Sequence, residues 1–278
     1  MAQPPIWRET RLGLEVAALL RDPIFRGVGV EDAGGQPVLL IPGFLAGDDS
    51  LGLMTRWLRR TGHHTSKAGI RSNVDCSQAT AVRLEQRLER LAERTGRRVA
   101  IIGQSRGGHF ARVLAVRRPD LVAGVVTLGS PQCDPLAVNP LVRASIFAVG
   151  LAGTIRRRGL MRASCLWGDC CTDFWDDFEA PFPKRTGYVS VYSRSDGVVD
   201  WRSCLDPAAE HVEIAASHVG MAVHPDGYRV IADALAQFRA ADEAARKRKR
   251  RGRKAAAPKA AGGRARRAAG GEVAAKAA

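Results

Sequence analysis

Aromatic residues are scarce in this 278-residue chain, at 6% of the total with only three tyrosines. Residues 246–278 contain none at all. A basic segment without aromatic side chains lacks the stacking platforms that single-stranded nucleic-acid binders use. Acids are short as well, 28 Asp and Glu against 43 Lys and Arg, for a formal net charge of +15. Thirteen of the basic residues and a single acid, Glu272, fall within 246–278, so the rest of the chain is nearly balanced. The charge is a property of a tail.

Long hydrophobic runs are also missing. The most apolar stretch, 136–155, is interrupted by Asn139, Pro140 and Arg143, which leaves too short a run to cross a bilayer. The start, Met-Ala-Gln-Pro-Pro-Ile-Trp-Arg-Glu, has no basic region followed by an apolar core, the pattern of a secretory leader. The expected compartment is the cytoplasm, where the six cysteines (76, 133, 165, 170, 171 and 204) would stay mostly reduced. Cys165, Cys170 and Cys171 lie close together, with Cys204 beyond the following strand, which raises a disulfide or a metal cluster. No C-x-x-C pair and no suitably spaced histidine accompanies them. Semi-buried thiols, with no metal, is the expectation.

What is present suits a globular body of one large domain, or one domain with an inserted cap. At 45% hydrophobic and 26% charged, a chain of this size can bury roughly 70% of its unfolded surface without covalent staples. Apolar runs at 36–41, 98–103 and 121–128 read as strands buried on both faces. Weaker strand signals lie at 65–70, 188–192 and 209–214. Between them, helical patterns run over 51–60, 77–94 and 109–117, and 230–239 closes the body. Alternating strands and helices predict an α/β fold, a mostly parallel doubly wound sheet covered on both faces. The rhythm breaks at about 132–186, where an apolar helical pattern (141–155) and the run Phe174-Trp175-Asp176-Asp177-Phe178 read as a cap or lid. The body is expected over 1–240. The Lys/Arg/Ala-rich tail, 241–278, buries too little apolar surface to offset its ordering entropy from Arg246 onward, so disorder is expected there.

The sharpest motif is Gly103-Gln104-Ser105-Arg106-Gly107, a G-x-S-x-G between a buried strand and a helix. That turn holds a serine in a strained backbone with its hydroxyl exposed above a sheet, so Ser105 is the candidate nucleophile. Downstream come an acid and a base in the order the turn requires. Asp196, in Ser193-Arg194-Ser195-Asp196-Gly197, follows a strand and can orient an imidazole; Asp200 is its competitor, or a cap for Trp201 onward. His218, in Ser217-His218-Val219-Gly220, is the candidate base, with His224 as the fallback. Backbone N–H groups of Arg106 and Phe44 are the candidate oxyanion donors. The Arg106 side chain fits either a contact to an anionic substrate group or a helix-surface ion pair. His109 reads as a packed residue, and His63-His64 as solvated.

These segments, with PGF at 42–44, GQSRGG at 103–108, SRSDGVVDW at 193–201 and SHVGM at 217–221, resemble the serine α/β-hydrolase superfamily on its bacterial triacylglycerol-lipase and esterase side. The resemblance implies an α/β-hydrolase fold and carboxylic-ester hydrolysis through an acyl-serine intermediate, without metal or organic cofactor. The same groups would serve an acyltransferase or a thioesterase. Pro42-Gly43 stands where many relatives read His-Gly, and Gln104 where lipases often carry His. The partner implied is a small-molecule or lipid ester. The basic run 246–251 supports at most non-specific contact with an anionic surface or nucleic acid, as in a non-enzymatic polyanion-anchoring protein.

Overall fold

In the computed structural model, the described residues are 4–155, 160–167 and 169–256. The chain divides into two units, Met1–Asp242 and Glu243–Ala278. The first opens with a short 3-10 turn and helix α1 (Leu12–Arg21), which lead to β1 (Pro37–Ile41). Then follow α2 (Gly52–Arg60), β2 (His64–Lys67), α3 (Ser77–Thr95), β3 (Val99–Gln104), α4 (Arg106–Arg117) and β4 (Val122–Leu128). An excursion carries α5 (Pro140–Ile155), α6 (Ser164–Trp167) and α7 (Thr172–Glu179). The sheet resumes with β5 (Gly187–Tyr192) and β6 (Glu210–Glu213), and α8 spans Pro225–Ala256.

Among the described residues the six strands form one sheet, in the order β2-β1-β3-β4-β5-β6, every pair parallel. The four inner strands, β1, β3, β4 and β5, are largely apolar because both faces are covered, and their two-residue period sorts them into two cores, whereas the edge strands β2 and β6 are polar and partly exposed. Val38, Leu40, Ala100, Ile102, Val126 and Leu128 pack with Leu19 of α1, Trp57 of α2 and Tyr228 of α8. Leu39, Ile41, Ile101 and Val125 face the other way, onto Leu84 and Leu88 of α3, Phe110 of α4 and Phe174 of α7. Trp57 is fully buried and donates its indole N–H to the Ile24 carbonyl at 2.8 Å, so its burial leaves no polar atom unsatisfied.

Two elements depart from the sequence reading. Helix α4 starts at Arg106 rather than 109, directly after the candidate serine. Gly107 and Gly108 weaken the local helix signal, but an added Cβ at Gly107 would lie 2.2 Å from the Ile41 carbonyl oxygen. The helix start is thus set by how closely its backbone approaches β1. Helix α8 starts earlier than 230, with Pro225 in its first turn, and it continues through the basic run to Ala256. Of the tail expected to be disordered from Arg246 onward, residues 257–278 lie outside the described residues. The N-terminal helix α1 was not anticipated at all.

Phe238 of α8 occupies the space left by two strand glycines. A Cβ at Gly124 or at Gly187 would come within 2.3 Å of its ring. Gly124→Ala is expected to destabilise the fold by about 1–3 kcal/mol through overpacking. Urea titration should show this as a lower midpoint at unchanged slope.

Candidate active site

The candidate residues all sit at the carboxyl end of the sheet, the edge where parallel α/β sheets open a crevice. Ser105 joins β3 to α4 with φ 50 and ψ −123, a backbone conformation that non-glycine residues rarely adopt. Its N–H donates to Leu128 O at 2.8 Å, which ties the turn to β4. Gly103 and Gly107 make room for it: a Cβ on Gly103 would sit 2.5 Å from the Gly107 carbonyl oxygen. Among the described residues the only other non-glycine residue with positive φ is Leu45 (φ 62), beside Phe44 in the turn after β1. Strain thus concentrates at the nucleophile candidate and at the turn that carries an oxyanion-donor candidate.

The acid and the base meet. His218 Nδ1 donates to Asp196 Oδ2 at 2.7 Å; the carboxylate is an acceptor only, so Nδ1 carries the proton and Nε2 is left basic. The second Asp196 oxygen accepts the Val198 and Val199 N–H groups, both at 2.8 Å. Asp196 is 1% exposed and His218 5%. Burial alone would lower the imidazole pKa, but the charge and hydrogen bond of Asp196, with the Glu9 charge behind them, raise it above the ordinary histidine value. Among the described residues no hydrogen bond joins Ser105 Oγ to His218. In hydrolytic sites that contact often tightens only when substrate binds.

Asp200 takes the other role foreseen for it. Its side chain accepts from Arg202 N and caps a 3-10 turn, Trp201–Cys204. His224 accepts from the Asp226 backbone N–H. His109 is buried with Nε2 3.2 Å from Pro131 O, and burial, then the Arg106 charge, pulls it down to about 3. His64 is exposed as expected, whereas His63 is buried against Thr61 and the Leu58 carbonyl, and burial pulls it down to about 4.

The Arg106 side chain follows neither expectation. Its guanidinium donates to Asn73 O and Oδ1, Asp75 O and Ser77 Oγ, at 2.8–3.0 Å. It holds a connecting loop, and burial lowers its pKa to about 10. Ser105, Arg106 and Phe44 line a cavity of about 480 Å³. Its other walls are apolar residues of the excursion, among them Leu136, Ile146, Leu166 and Trp175, with carboxylates such as Asp134 and Asp176 at the exposed rim. Phe174 and Phe178 are buried in the core beneath.

The model of a family described as "Putative esterase" matches residues 65–207, half of the chain, including Ser105 and Asp196. The chain belongs to this esterase family. Solved structures agree on the fold. The esterase is similar to a mature Bacillus licheniformis lipase (BlEst2), with TM-score 0.55 and 16% identity over 74% of this chain and 94% of that one. It is similar also to a soluble variant of the Saccharomyces cerevisiae monoglyceride lipase, with TM-score 0.52 and 13% identity over 77% of this chain and 88% of that one. A Paleococcus ferrophilus monoacylglycerol lipase gives TM-score 0.52 and 16% identity over 76% and 96%. The fold is that of the α/β-hydrolases, and the protein is an ester-hydrolysing enzyme.

Two residues of this esterase's site were missed in the sequence. Glu9 accepts the N–H groups of Gly197 (3.1 Å), His218 (3.0 Å) and Val219 (3.1 Å). Glu15 accepts Ser217 N–H at 2.7 Å and Ser217 Oγ–H at 2.5 Å. Both come from the N-terminal segment and latch the loops that carry Asp196 and His218. The available signal was Glu15 itself, a carboxylate within the apolar stretch Leu-Gly-Leu-Glu-Val-Ala-Ala-Leu-Leu, because a buried charge needs hydrogen-bond partners elsewhere in the fold.

The sign of the His218 shift gives a prediction. A base must be neutral to act, and both acids favour its charged form, so the acid limb of kcat/KM should lie above the ordinary histidine value near 6.5. Glu9→Gln removes one negative charge and should move that limb to lower pH. A pH–rate profile, or NMR titration of His218, reads it.

Proposed function

We propose that the enzyme cleaves lipid-like or small carboxylic esters through an acyl-serine intermediate. Ser105 is the nucleophile, His218 the general base and then the general acid, and Asp196 the carboxylate that orients it. The Phe44 and Arg106 N–H groups face the developing oxyanion. The observation that carries this reading is a serine held at φ 50 at the wall of an apolar cavity, on the same sheet edge as a histidine fixed by a buried aspartate.

In this mechanism His218 Nε2 takes the Ser105 proton as Oγ attacks the acyl carbon. It then returns that proton to the leaving alkoxide, and water repeats the sequence to release the acid. No metal or organic cofactor takes part. The apolar walls suit an acyl chain, and the rim carboxylates disfavour an anionic substrate end. An acyltransferase or thioesterase would use the same groups with a different acceptor or leaving group.

Residues 1–240 form one hydrolase domain in this mechanism, with a lid at about 132–186. No helix among the described residues is long and apolar enough to cross a membrane. The cytoplasm is the proposed compartment, and non-specific polyanion contact the proposed use of the basic segment.

Ser105→Ala is expected to lower ester turnover by on the order of 10⁵–10⁶-fold and to abolish labelling by a fluorophosphonate. Asp196→Asn should cost about 10⁴-fold while leaving the fold intact. Hydrolysis of an ester series of rising chain length checks both and sizes the cavity. Activity surviving Ser105→Ala, with label on another serine, overturns the assignment.

A further inference from the structure

Four of the six cysteines, expected to be no more than semi-buried thiols, converge on one point. Cys165 of α6, and Cys170 and Cys171 of the 3-10 turn before α7, are joined there by Cys76, which caps the N-terminus of α3. All four sulfurs lie within 4.8 Å of one another. Individual separations are 3.3 Å for Cys170–Cys165, 3.6 Å for Cys76–Cys171 and 3.7 Å for Cys170–Cys171. Four thiolates around one zinc ion, each about 2.3 Å from the metal, define a tetrahedron with edges of roughly 3.8 Å. A disulfide needs about 2.05 Å, and all four cysteines are free. We propose that Cys76, Cys165, Cys170 and Cys171 form a structural zinc(II) site that fastens the excursion to the body of the enzyme.

The surroundings suit a thiolate cluster. Cys165 and Cys171 are buried, at 1% and 0% exposure, while Cys170 is exposed and leaves the ion a path from solvent. Backbone N–H of Arg162 donates to Cys165 Sγ at 3.2 Å, a hydrogen bond that stabilises the thiolate a metal needs. The N-terminus of α3, at Cys76, offers the positive end of a helix dipole. The guanidinium of Arg106 lies within electrostatic reach of Cys76, Cys165 and Cys171. Binding exchanges up to four thiol protons for one Zn²⁺ and leaves a cluster of charge −2, partly offset by these donors. No electron is transferred. Four protein ligands fill the tetrahedron, so the metal has no open position for substrate, and its role is structural.

What it would hold is the cavity wall. Ser77, Leu166, Asp169 and Thr172, each a sequence neighbour of a cluster cysteine, line the cavity beside Ser105. The same junction has Met161 N–H bonded to Val74 O at 2.7 Å and the Trp175 indole N–H bonded to Cys165 O at 3.0 Å. Spacing along the chain conceals the site, because Cys76 is remote in sequence from the other three.

The test is metal analysis of the full-length protein, purified under reducing conditions without chelator. One zinc per chain is expected, with none bound by Cys171→Ser and no change in Cys133→Ser or Cys204→Ser. Reconstitution with cobalt(II) should give intense thiolate-to-metal charge-transfer bands and the visible bands of a tetrahedral ion. Cys170→Ser, at the exposed ligand, serves if Cys171→Ser fails to fold. Its zinc affinity should fall by more than the roughly 10–100-fold associated with loss of a hydrogen-bond partner of a ligand. A strong chelator should lower the Tm of wild type and leave that of the metal-free variant unchanged. All six thiols titratable with no metal bound, two disulfides by mass, or iron in place of zinc would each overturn the proposal. None of these readouts depends on esterase activity.

Discussion

The close approach of the α4 N-terminus to the end of β1 is the constraint on which the site depends. Gly107 lies so near the Ile41 and Pro42 carbonyl oxygens that no side chain fits between them. The chain must therefore leave β3 and enter the helix within one residue. That residue is Ser105, and its positive φ is the consequence. The cost of such a conformation, on the order of 1–3 kcal/mol, is carried by the buried strands and by Phe110, Val113 and Leu114 of α4 beneath it. A rigid core is what allows a polar residue to be held aloft in a strained state.

Around that fixed point the other proposed groups are held by hydrogen bonds rather than by packing. Asp196 is anchored by two backbone donors and His218 by Asp196. Their loops are anchored by Glu9 and Glu15 from the start of the chain. Charge-assisted bonds to backbone N–H are stronger than neutral ones and directional, so they suit loops whose job is to hold an imidazole still. They also place negative charge near that imidazole, which connects orientation with basicity.

The excursion between β4 and β5 does different work. Its apolar residues roof the cavity, and its aromatic run reaches into the core beside α4. Arg106 steadies the facing loop through four acceptors. A zinc site at the same junction would replace a set of weak thiol contacts with metal–ligand bonds. That fits a wall that borders the cavity beside Ser105.

The layered fold was legible along the chain, because a two-residue apolar period and a helical period are local signals that burial on both faces makes strong. Ser105, Asp196 and His218 were legible as candidates too, because a strand–turn–helix serine followed by an acid and a histidine is a pattern of order along the chain. Which distant groups meet depends on how the folded chain brings its segments together. Glu9 and Glu15 reach loops some two hundred residues away, and Cys76 joins three cysteines about ninety residues downstream. The Arg106 guanidinium is held by the backbone carbonyls of Asn73 and Asp75, some thirty residues earlier in the chain. Such contacts have no period and no spacing, so they become readable only once the sheet has brought the segments together.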